Sequence, residues 1–563
     1  MQRFIRRVKN ALAYIRHGEW QALADRLRYL TSRERRWKPP AGPLEQTSWA
    51  VITPPHGNFV ASLIARRLRG WGVNAEVLQQ MPRRFKHDYY VVLAPQVFKR
   101  LPPGERLFIY QLEQTLASNW FSAKYLRQLE RCRAVLEYKQ GNLAFLEAKG
   151  IAFPHVYYLP IGGNPDLLVA GSWSEAPREP RSVLFYGAWK ANARRRELLA
   201  ELAGGRALER RDNLFAPALY DQIRNELGGP VVLNLHHYDP AQLETPRLWE
   251  AVSLGVPVVS EDSPDGLEDM LLRQAVACVP SGDLAAIGAA IDAAAGAAVD
   301  LAARQQVIEA GWQRFAFFFD RFLLAEGFVA AADQRLTPQP PQSLPAEPPA
   351  VAAQPPRWCL TLPETDARYR NAQKLPVSRY CAGLRKRPGW MGCALSYREM
   401  ARQALAQGVE ALWVIEDDVT PLGPLEAHLD EIWQHLSQRD DWDICVGHLT
   451  LVDEGLEVGA VTRLPSGMAL LQVNQFLGMA ANLYHRRALE ALAGWEPEAG
   501  DEYSNTIDQY LKAQCLRTVA TWPYLVDHDD EQQSTLWGFN NAHYRQTIEA
   551  TRQRLDTLCG ISA

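Results

Sequence analysis

The chain has 563 residues, of which 47% are hydrophobic and 22% charged, and its net charge is −3. That length exceeds one hydrophobic core and implies two to four domains, while the near balance of charge gives no reason to expect nucleic acid as a general partner. Eight cysteines without CxxC or other metal-type spacing argue against a disulfide framework or a zinc site.

Residues 1–40 hold eleven Arg or Lys against three acidic residues. Phe4, Ile5, Val8, Ala11, Leu12 and Ile15 fall at helical spacing, as do Trp20, Leu23, Leu27 and Leu30. Such a basic amphipathic segment suits either peripheral contact with an anionic membrane surface or docking on its own domain. No apolar run has the length to span a bilayer, and a signal-peptide apolar core is missing from the first residues. A cytoplasmic location is therefore expected, with membrane contact an open alternative.

Residues 41–170 predict a first doubly wound module. Strands are expected at 48–54, 75–79, 89–94 and 107–111, with a helix over 59–71. Pro54-Pro55-His56-Gly57-Asn58 is a Gly-bearing loop suited to acceptor contact. Residues 171–335 predict a second such module. Here strands are expected at 183–186, 231–235 and 256–260, and helices at 194–203, 246–254, 284–298 and 301–315. Strands alternating with helices imply parallel sheets, whose ligands bind at the carboxyl ends of the strands. Residues 336–357 form a Pro-rich linker. Residues 358–563 predict a further α/β domain, with strands at 358–362, 411–415 and 444–446 and helices over 391–407 and 486–493.

In the second module, Tyr186-Gly187 ends a strand and Arg194-Arg195-Arg196 opens a helix. Such a pattern can cradle a diphosphate without metal, or it can leave a solvated basic face. His236 and His237 end the next strand and either face the cleft or are structural. Downstream, Arg247-Leu248-Trp249-Glu250-Ala251-Val252 leads into Gly255-Val256-Pro257. This run resembles the donor half of two-domain (GT-B) glycosyltransferases of the spore-maturation type. The resemblance implies a metal-independent nucleotide-sugar site using Glu250, Arg247, Gly187 and Arg195, with Glu250 accepting from ribose hydroxyls. The two-Glu form of that motif has a second Glu eight residues earlier. Gln242 stands at that position, and Glu244 is out of register.

The strongest signal lies further on. Ala411-Leu412-Trp413-Val414-Ile415 is an apolar strand that ends on Glu416-Asp417-Asp418. Three buried carboxylates need a cation. Upstream is Gly389-Trp390-Met391-Gly392-Cys393-Ala394-Leu395-Ser396-Tyr397. The two elements together resemble glycosyltransferase family 25, the lipooligosaccharide-type galactosyltransferases, over roughly residues 357–540. Tyr397 stands where that family usually has His. The resemblance implies a GT-A-like domain, a Mn2+ (or Mg2+) cofactor and a nucleotide-sugar donor such as UDP-galactose. In that reading Asp418 is the first metal ligand, joined by Glu416 and His528. Glu416 and Asp417 face the nucleotide, with Asp417 alternatively structural. Asp508 is the general base, or else a helix-start carboxylate favoured by the dipole. Arg368 and Arg370 either contact donor phosphates or form a solvated face. A role for Ser534 is not derivable.

The whole reads as a tandem glycosyltransferase that acts on a surface glycan such as lipopolysaccharide. The alternatives are one active module beside a degenerate binding module, a metal-dependent nucleotide-sugar hydrolase, or a non-catalytic carbohydrate-binding protein.

Overall fold

The computed structural model describes residues 37–40, 42–116, 118–169, 179–264, 268–340, 354–538 and 540–559. The basic segment of residues 1–36 and most of the Pro-rich linker lie outside them. Contacts divide the chain into two compact units. One is built on residues 40–323 and 328–346, the other chiefly on residues 347–563.

The first unit carries two sheets. The first contains β1 (Ser48–Ile52), β2 (Asn74–Leu78), β3 (Tyr89–Leu93), β4 (Leu107–Gln111), β5 (Ala134–Glu137) and β6 (Val156–Tyr158) in the order β2-β1-β3-β4-β5-β6. All its pairings are parallel. The second contains β7 (Val183–Tyr186), β8 (Leu208–Arg211), β9 (Val231–Asn234), β10 (Val258–Glu261) and β11 (Ala277–Val279) in the order β11-β10-β9-β7-β8, again parallel. Both sheets reverse their winding once, between β1 and β3 and between β7 and β9. Ligands of doubly wound folds bind in the crevice at such a reversal. The two Rossmann-like modules expected from the sequence are present, with β5, β6, β8 and β11 in addition.

The helix Asn58–Gly70 buries Phe59, Val60, Leu63, Ile64 and Leu68 against the first sheet. Gly57 precedes it. A Cβ there would lie 2.3 Å from Thr53 Oγ1, so only glycine lets the strand end meet the helix start.

The helix expected over 301–315 runs instead over Leu301–Glu326. It returns to the first module, where Phe322 packs on Phe108 and Tyr157 with ring centroids 5.0 and 5.2 Å apart. Its buried Asp320 accepts hydrogen bonds from Arg67 Nε at 2.7 Å and Trp71 Nε1 at 2.9 Å. The boundary drawn at residue 170 is therefore incomplete, because residues far beyond it cover the first sheet. The sequence shows no break there because the run Phe315–Phe319 is apolar on several faces.

The second unit is built on a mixed sheet. It contains β12 (Arg357–Thr361), β13 (Arg379–Ala382), β14 (Ala411–Glu416), β16 (Ile444–Val446), β17 (Val458–Arg463), β18 (Ala469–Val473), β19 (Ala481–His485) and β20 (Thr518–Trp522). Their order is β13-β12-β14-β19-β16-β20-β18-β17. β12, β13 and β14 run parallel, and β19 joins β14 antiparallel. A separate ribbon pairs β15 (Val419–Pro421) with β21 (Val526–His528). The core gathers Trp413, Ile415, Leu429, Trp442, Leu483 and Leu525. The C-terminal domain is thus α/β, as expected. Among the described residues, no single helix is long and apolar enough to cross a membrane.

Candidate functional site

The acidic motif lies at the carboxyl end of β14, beside the winding reversal between β12 and β14. Glu416 is the last residue of the strand, and Asp417 and Asp418 form the turn into β15. All three carboxylates are largely withdrawn from solvent, with Asp417 at 2% and Asp418 at 6% exposure. The cation the sequence demands is in part Arg368, on the helix Asp366–Ala372. Its Nε donates to Asp417 Oδ1 at 2.7 Å, and its Nη2 lies 3.2 Å from Asp418 Oδ2. Asp417 also accepts from the Leu362 backbone N–H at 3.3 Å. Asp417 is thereby tied to β12 and to Arg368, which fits the structural alternative. Arg368 is committed to the carboxylates, and this corrects its assignment to donor phosphates. Arg370 pairs with Asp366 at the helix surface.

The β15–β21 ribbon places His528 opposite Val419, next to Asp418. The Asp529 N–H donates to the Asp418 carbonyl at 2.9 Å. Asp418 Oδ2 accepts from Asn541 Nδ2 at 3.1 Å. Asp418 Oδ1 and His528 Nδ1 are both buried and have no partner. Burial alone would raise the Asp418 carboxyl, but the charges of Arg368 and His528 and the Asn541 bond bring it below the ordinary range. A carboxylate oxygen and an imidazole nitrogen left unsatisfied on two paired strands' ends have the chemistry a divalent cation takes.

Glu416 departs from the expected ligand set. Its Oε1 lies 3.0 Å from the Tyr397 hydroxyl, and burial, then Asp418, push its carboxyl above the usual range. Among the described residues, no group of three or more His, Cys, Asp or Glu side chains has the arrangement of a metal site. Glu416, Asp418 and His528 therefore do not make the three-residue metal cluster expected from the sequence.

Asp508 is the second residue of the helix Ile507–Lys512. Burial first, and then the nearby charges of Glu416 and Asp508, raise the thiol of the half-buried Cys393. The Gly-Cys-x-x-Ser element has a structural reason. A Cβ at Gly392 would lie 2.7 Å from the Leu384 carbonyl. Ser396 Oγ accepts from the Leu384 N–H at 2.8 Å and donates to the Gly392 carbonyl at 2.7 Å. Together they clamp the helix Gly389–Ala406 onto the loop after β13. Three residues were not singled out for this site by sequence reasoning. Asn541 and His448 carried no motif, and Tyr397 was read only as a departure. His448 is fully buried, its ring centroid is 4.9 Å from that of His528, and burial pushes its pKa down to about 4.

The N-terminal unit offers a second centre where β7 and β9 part. Arg247 Nη1 donates to Asn234 Oδ1 at 2.9 Å, and its guanidinium lies 5.5 Å from the Tyr186 ring. Gly187, at φ +129°, allows this approach, since a Cβ would come within 2.8 Å of Arg247 Nη2. Glu250 is the sixth of the nine residues of the helix Thr245–Ser253. Tyr220 donates to its Oε1 at 3.1 Å, and burial raises its pKa to about 7.

Arg195 is a correction. Its side chain is buried, and its Nε, Nη1 and Nη2 donate to the carbonyls of Leu235 and Ala188 at 2.6–3.1 Å. It braces strand ends from within the fold and is withdrawn from a diphosphate. Arg194 pairs with Glu261, and Arg196 Nη1 donates to the Lys190 carbonyl at 2.7 Å.

Glu244, out of register in the motif, is the charged hub of this centre. His236 Nδ1 lies 2.8 Å from Glu244 Oε2, and His236 Nε2 lies 2.9 Å from the Asp262 carbonyl. Two acceptors require both ring nitrogens to carry hydrogen. Burial alone would lower the His236 pKa, but the Glu244 contact raises it. Burial alone would raise Glu244, and His236, Arg247 and Asn234 hold it down to about 2.

No family model matches the chain, and no curated protein matches it significantly. Solved structures resemble about half of it. A lipopolysaccharide outer core galactosyltransferase, WaaB, is similar at 11% identity and a TM-score of 0.32, over 49% of this chain and 98% of that one. Sucrose-phosphate synthase from Thermosynechococcus elongatus is similar at 14% identity and a TM-score of 0.34, over 50% and 98%. Anabaena HepE in complex with UDP-glucose is similar at 14% identity and a TM-score of 0.27, over 47% and 99%.

Proposed function

We propose that the protein is a tandem glycosyltransferase. The observation that carries this reading is the pair of buried, unpartnered atoms Asp418 Oδ1 and His528 Nδ1 at the carboxyl end of β14. In this reading they hold Mn2+ or Mg2+ in a GT-A-like domain, and the ion supplies Lewis-acid neutralisation of a leaving nucleotide diphosphate. Asp508 takes the proton of the acceptor hydroxyl as that oxygen bonds to the anomeric carbon and the carbon–diphosphate bond breaks. Tyr397 fixes Glu416 toward the nucleotide, and Arg368 keeps the acidic turn folded while the site is empty of cation. UDP-galactose is the proposed donor, and a surface glycan such as lipopolysaccharide is the proposed acceptor.

In the N-terminal unit, a GT-B-like pair of modules, Arg247 beside Gly187 receives the donor diphosphate without metal and Glu250 meets the ribose. Joining two transferases raises the effective concentration of the first product at the second site. A cytoplasmic location, with residues 1–40 touching the inner membrane surface, belongs to the same proposal.

A second reading rests on Gln242. Its N–H and carbonyl are both taken by Gln114, at 3.0 and 2.9 Å. No carboxylate stands where the motif would have its other Glu, which favours a degenerate N-terminal unit.

The full chain, incubated with a panel of nucleotide sugars and cell-derived acceptors, separates these readings. Asp418→Ala and chelation should each abolish one transfer, while Glu250→Gln abolishes another. If Glu250→Gln changes no product, the N-terminal unit is not catalytic. Turnover that survives both chelation and Asp418→Ala overturns the metal role. Donor consumed only by water favours the hydrolase.

A further inference from the structure

Two residues at the start of the helix Thr245–Ser253 depart from the usual chemistry of a helix start. Glu244 is the N-cap, yet its side chain caps no backbone N–H of the helix. Arg247 lies in the first turn, where the helix dipole disfavours a cation. Both side chains meet the end of β9 instead. Asn234, the last residue of β9 and fully buried, stands between them. Its Oδ1 accepts from Arg247 Nη1 at 2.9 Å. Its Nδ2 donates to Glu244 Oε2 at 3.0 Å and to Ser260 Oγ at 2.9 Å. An amide bonded at both ends is fixed in orientation, and it fixes the guanidinium with it.

The held guanidinium is not consumed by the protein. Arg247 makes no ion pair among the described residues, and only its Nη1 meets a protein acceptor there. Glu244 is the nearest candidate for its counter-ion, but Glu244 already has a cation in His236, whose Nδ1 lies 2.8 Å from Oε2. The other charges around His236 are engaged. Glu261 accepts from the His236 backbone N–H at 2.7 Å and pairs with Arg194. Asp262 pairs with Arg273. Arg195 Nη2 lies 3.8 Å from Glu244 Oε1. Burial, then Arg195, lower the pKa of the adjacent His237.

We propose, on the reading of Arg247 as the diphosphate contact, that Asn234 and Glu244 are positioning residues for Arg247 and that the charge on His236 sets how tightly Arg247 binds a nucleoside diphosphate. While His236 is protonated, Glu244 is neutralised and the Arg247 charge is left for the ligand. Once His236 is neutral, Glu244 attracts Arg247 and competes with the phosphates. Burial alone would lower the His236 pKa, but Glu244 raises it above 6.5. Affinity for the diphosphate therefore falls as pH rises above neutrality.

Calorimetric titration of the full chain with UDP tests this from about pH 7 to 9, where the diphosphate is already almost fully ionised. A chelator keeps the proposed ion-dependent centre out of the signal. Glu250 titrates in the same window, so every protein in the series carries Glu250→Gln. This parent should lose about tenfold in affinity across the window. Glu244→Gln should bind throughout as tightly as the parent does at the low end. His236→Asn, which keeps a neutral donor toward Glu244, should bind throughout as weakly as the parent does at the high end. Asn234→Ala should bind at least about tenfold more weakly at both ends. Residues that merely support the fold would shift affinity in one direction, and thermal unfolding at each pH verifies folding. A pH dependence that persists in Glu244→Gln or His236→Asn, or two variants displaced the same way, overturns the inference. Arg247→Ala tells its failure from that of the underlying reading. If Arg247→Ala binds UDP like the parent, the diphosphate lies elsewhere and both fail. If it binds weakly while the other variants match the parent, the inference alone fails.

Discussion

The Tyr397 hydroxyl lies 3.0 Å from Glu416 Oε1 and 3.0 Å from the Met479 carbonyl. One hydroxyl proton cannot serve two acceptors. If Glu416 is protonated, it donates to Tyr397, Tyr397 donates to Met479, and both contacts are satisfied. The raised pKa of Glu416, caused first by burial, agrees with that arrangement. Tyr397→Phe should leave the Met479 carbonyl and Glu416 without their shared partner, at a cost of about 1–3 kcal/mol. Urea denaturation measures the loss. A variant as stable as wild type would show that water replaces the hydroxyl.

Arg368 is the cation that permits the acidic turn to stay buried. Arg368→Ala should destabilise the C-terminal unit by about 3–5 kcal/mol, since Asp417 and Asp418 would lose their charged partner. Added Mn2+ should recover part of that loss if Asp418 and His528 bind it. Thermal unfolding with and without Mn2+ decides this, and an Arg368→Ala chain indifferent to the ion counts against a cation site.

Gly187→Ala tests the second centre. Its φ of +129° is unfavourable to any side chain, and the added methyl would displace the Arg247 guanidinium. The expected cost is about 1–3 kcal/mol. Binding of a nucleoside diphosphate, followed by calorimetry, should weaken more than stability alone explains. Affinity equal to wild type would place the diphosphate elsewhere.

Glu250 gives a pH dependence of definite sign. Its folded pKa is raised from 4.5 to about 7. The protonated form is favoured by folding, so its contribution is fully present below pH 4.5 and lost as pH rises through 7. The loss across that window is on the order of 3 kcal/mol. Glu250→Gln should remove this slope while keeping the contacts with the Tyr220 and Tyr186 hydroxyls, at 3.1 and 3.5 Å. Parallel denaturation series of the two proteins across the window measure it, and equal slopes would locate the titration in another group.

The modules and their strand ends were legible because short apolar strands punctuated by Gly and Pro are local signals. Leu107–Gln111 and Val183–Tyr186 were placed without error. Ala134–Glu137 was missed because four residues among charged neighbours carry no period. The acidic turn was legible as a demand for positive charge, but the supplier was not, because Arg368 lies 49 residues from Asp417 in sequence. Arg195 misled for the opposite reason. Three consecutive arginines look alike in sequence, and only the fold turns one inward onto the Leu235 and Ala188 carbonyls. Glu244 was rejected for its spacing, although a loop rather than a helix carries it to His236.

The helix Leu301–Glu326 ties both N-terminal modules together, since Arg304 Nη1 donates to the Ala275 carbonyl at 2.7 Å and Phe322 packs on the first sheet. Removing it would strip Phe322 from the first sheet and Asp320 from Arg67 and Trp71, which lie 253 and 249 residues from Asp320 in sequence. Neither module is then an independent cooperative unit. The two should melt in one transition, and a cut near residue 170 should yield two fragments that aggregate rather than two domains.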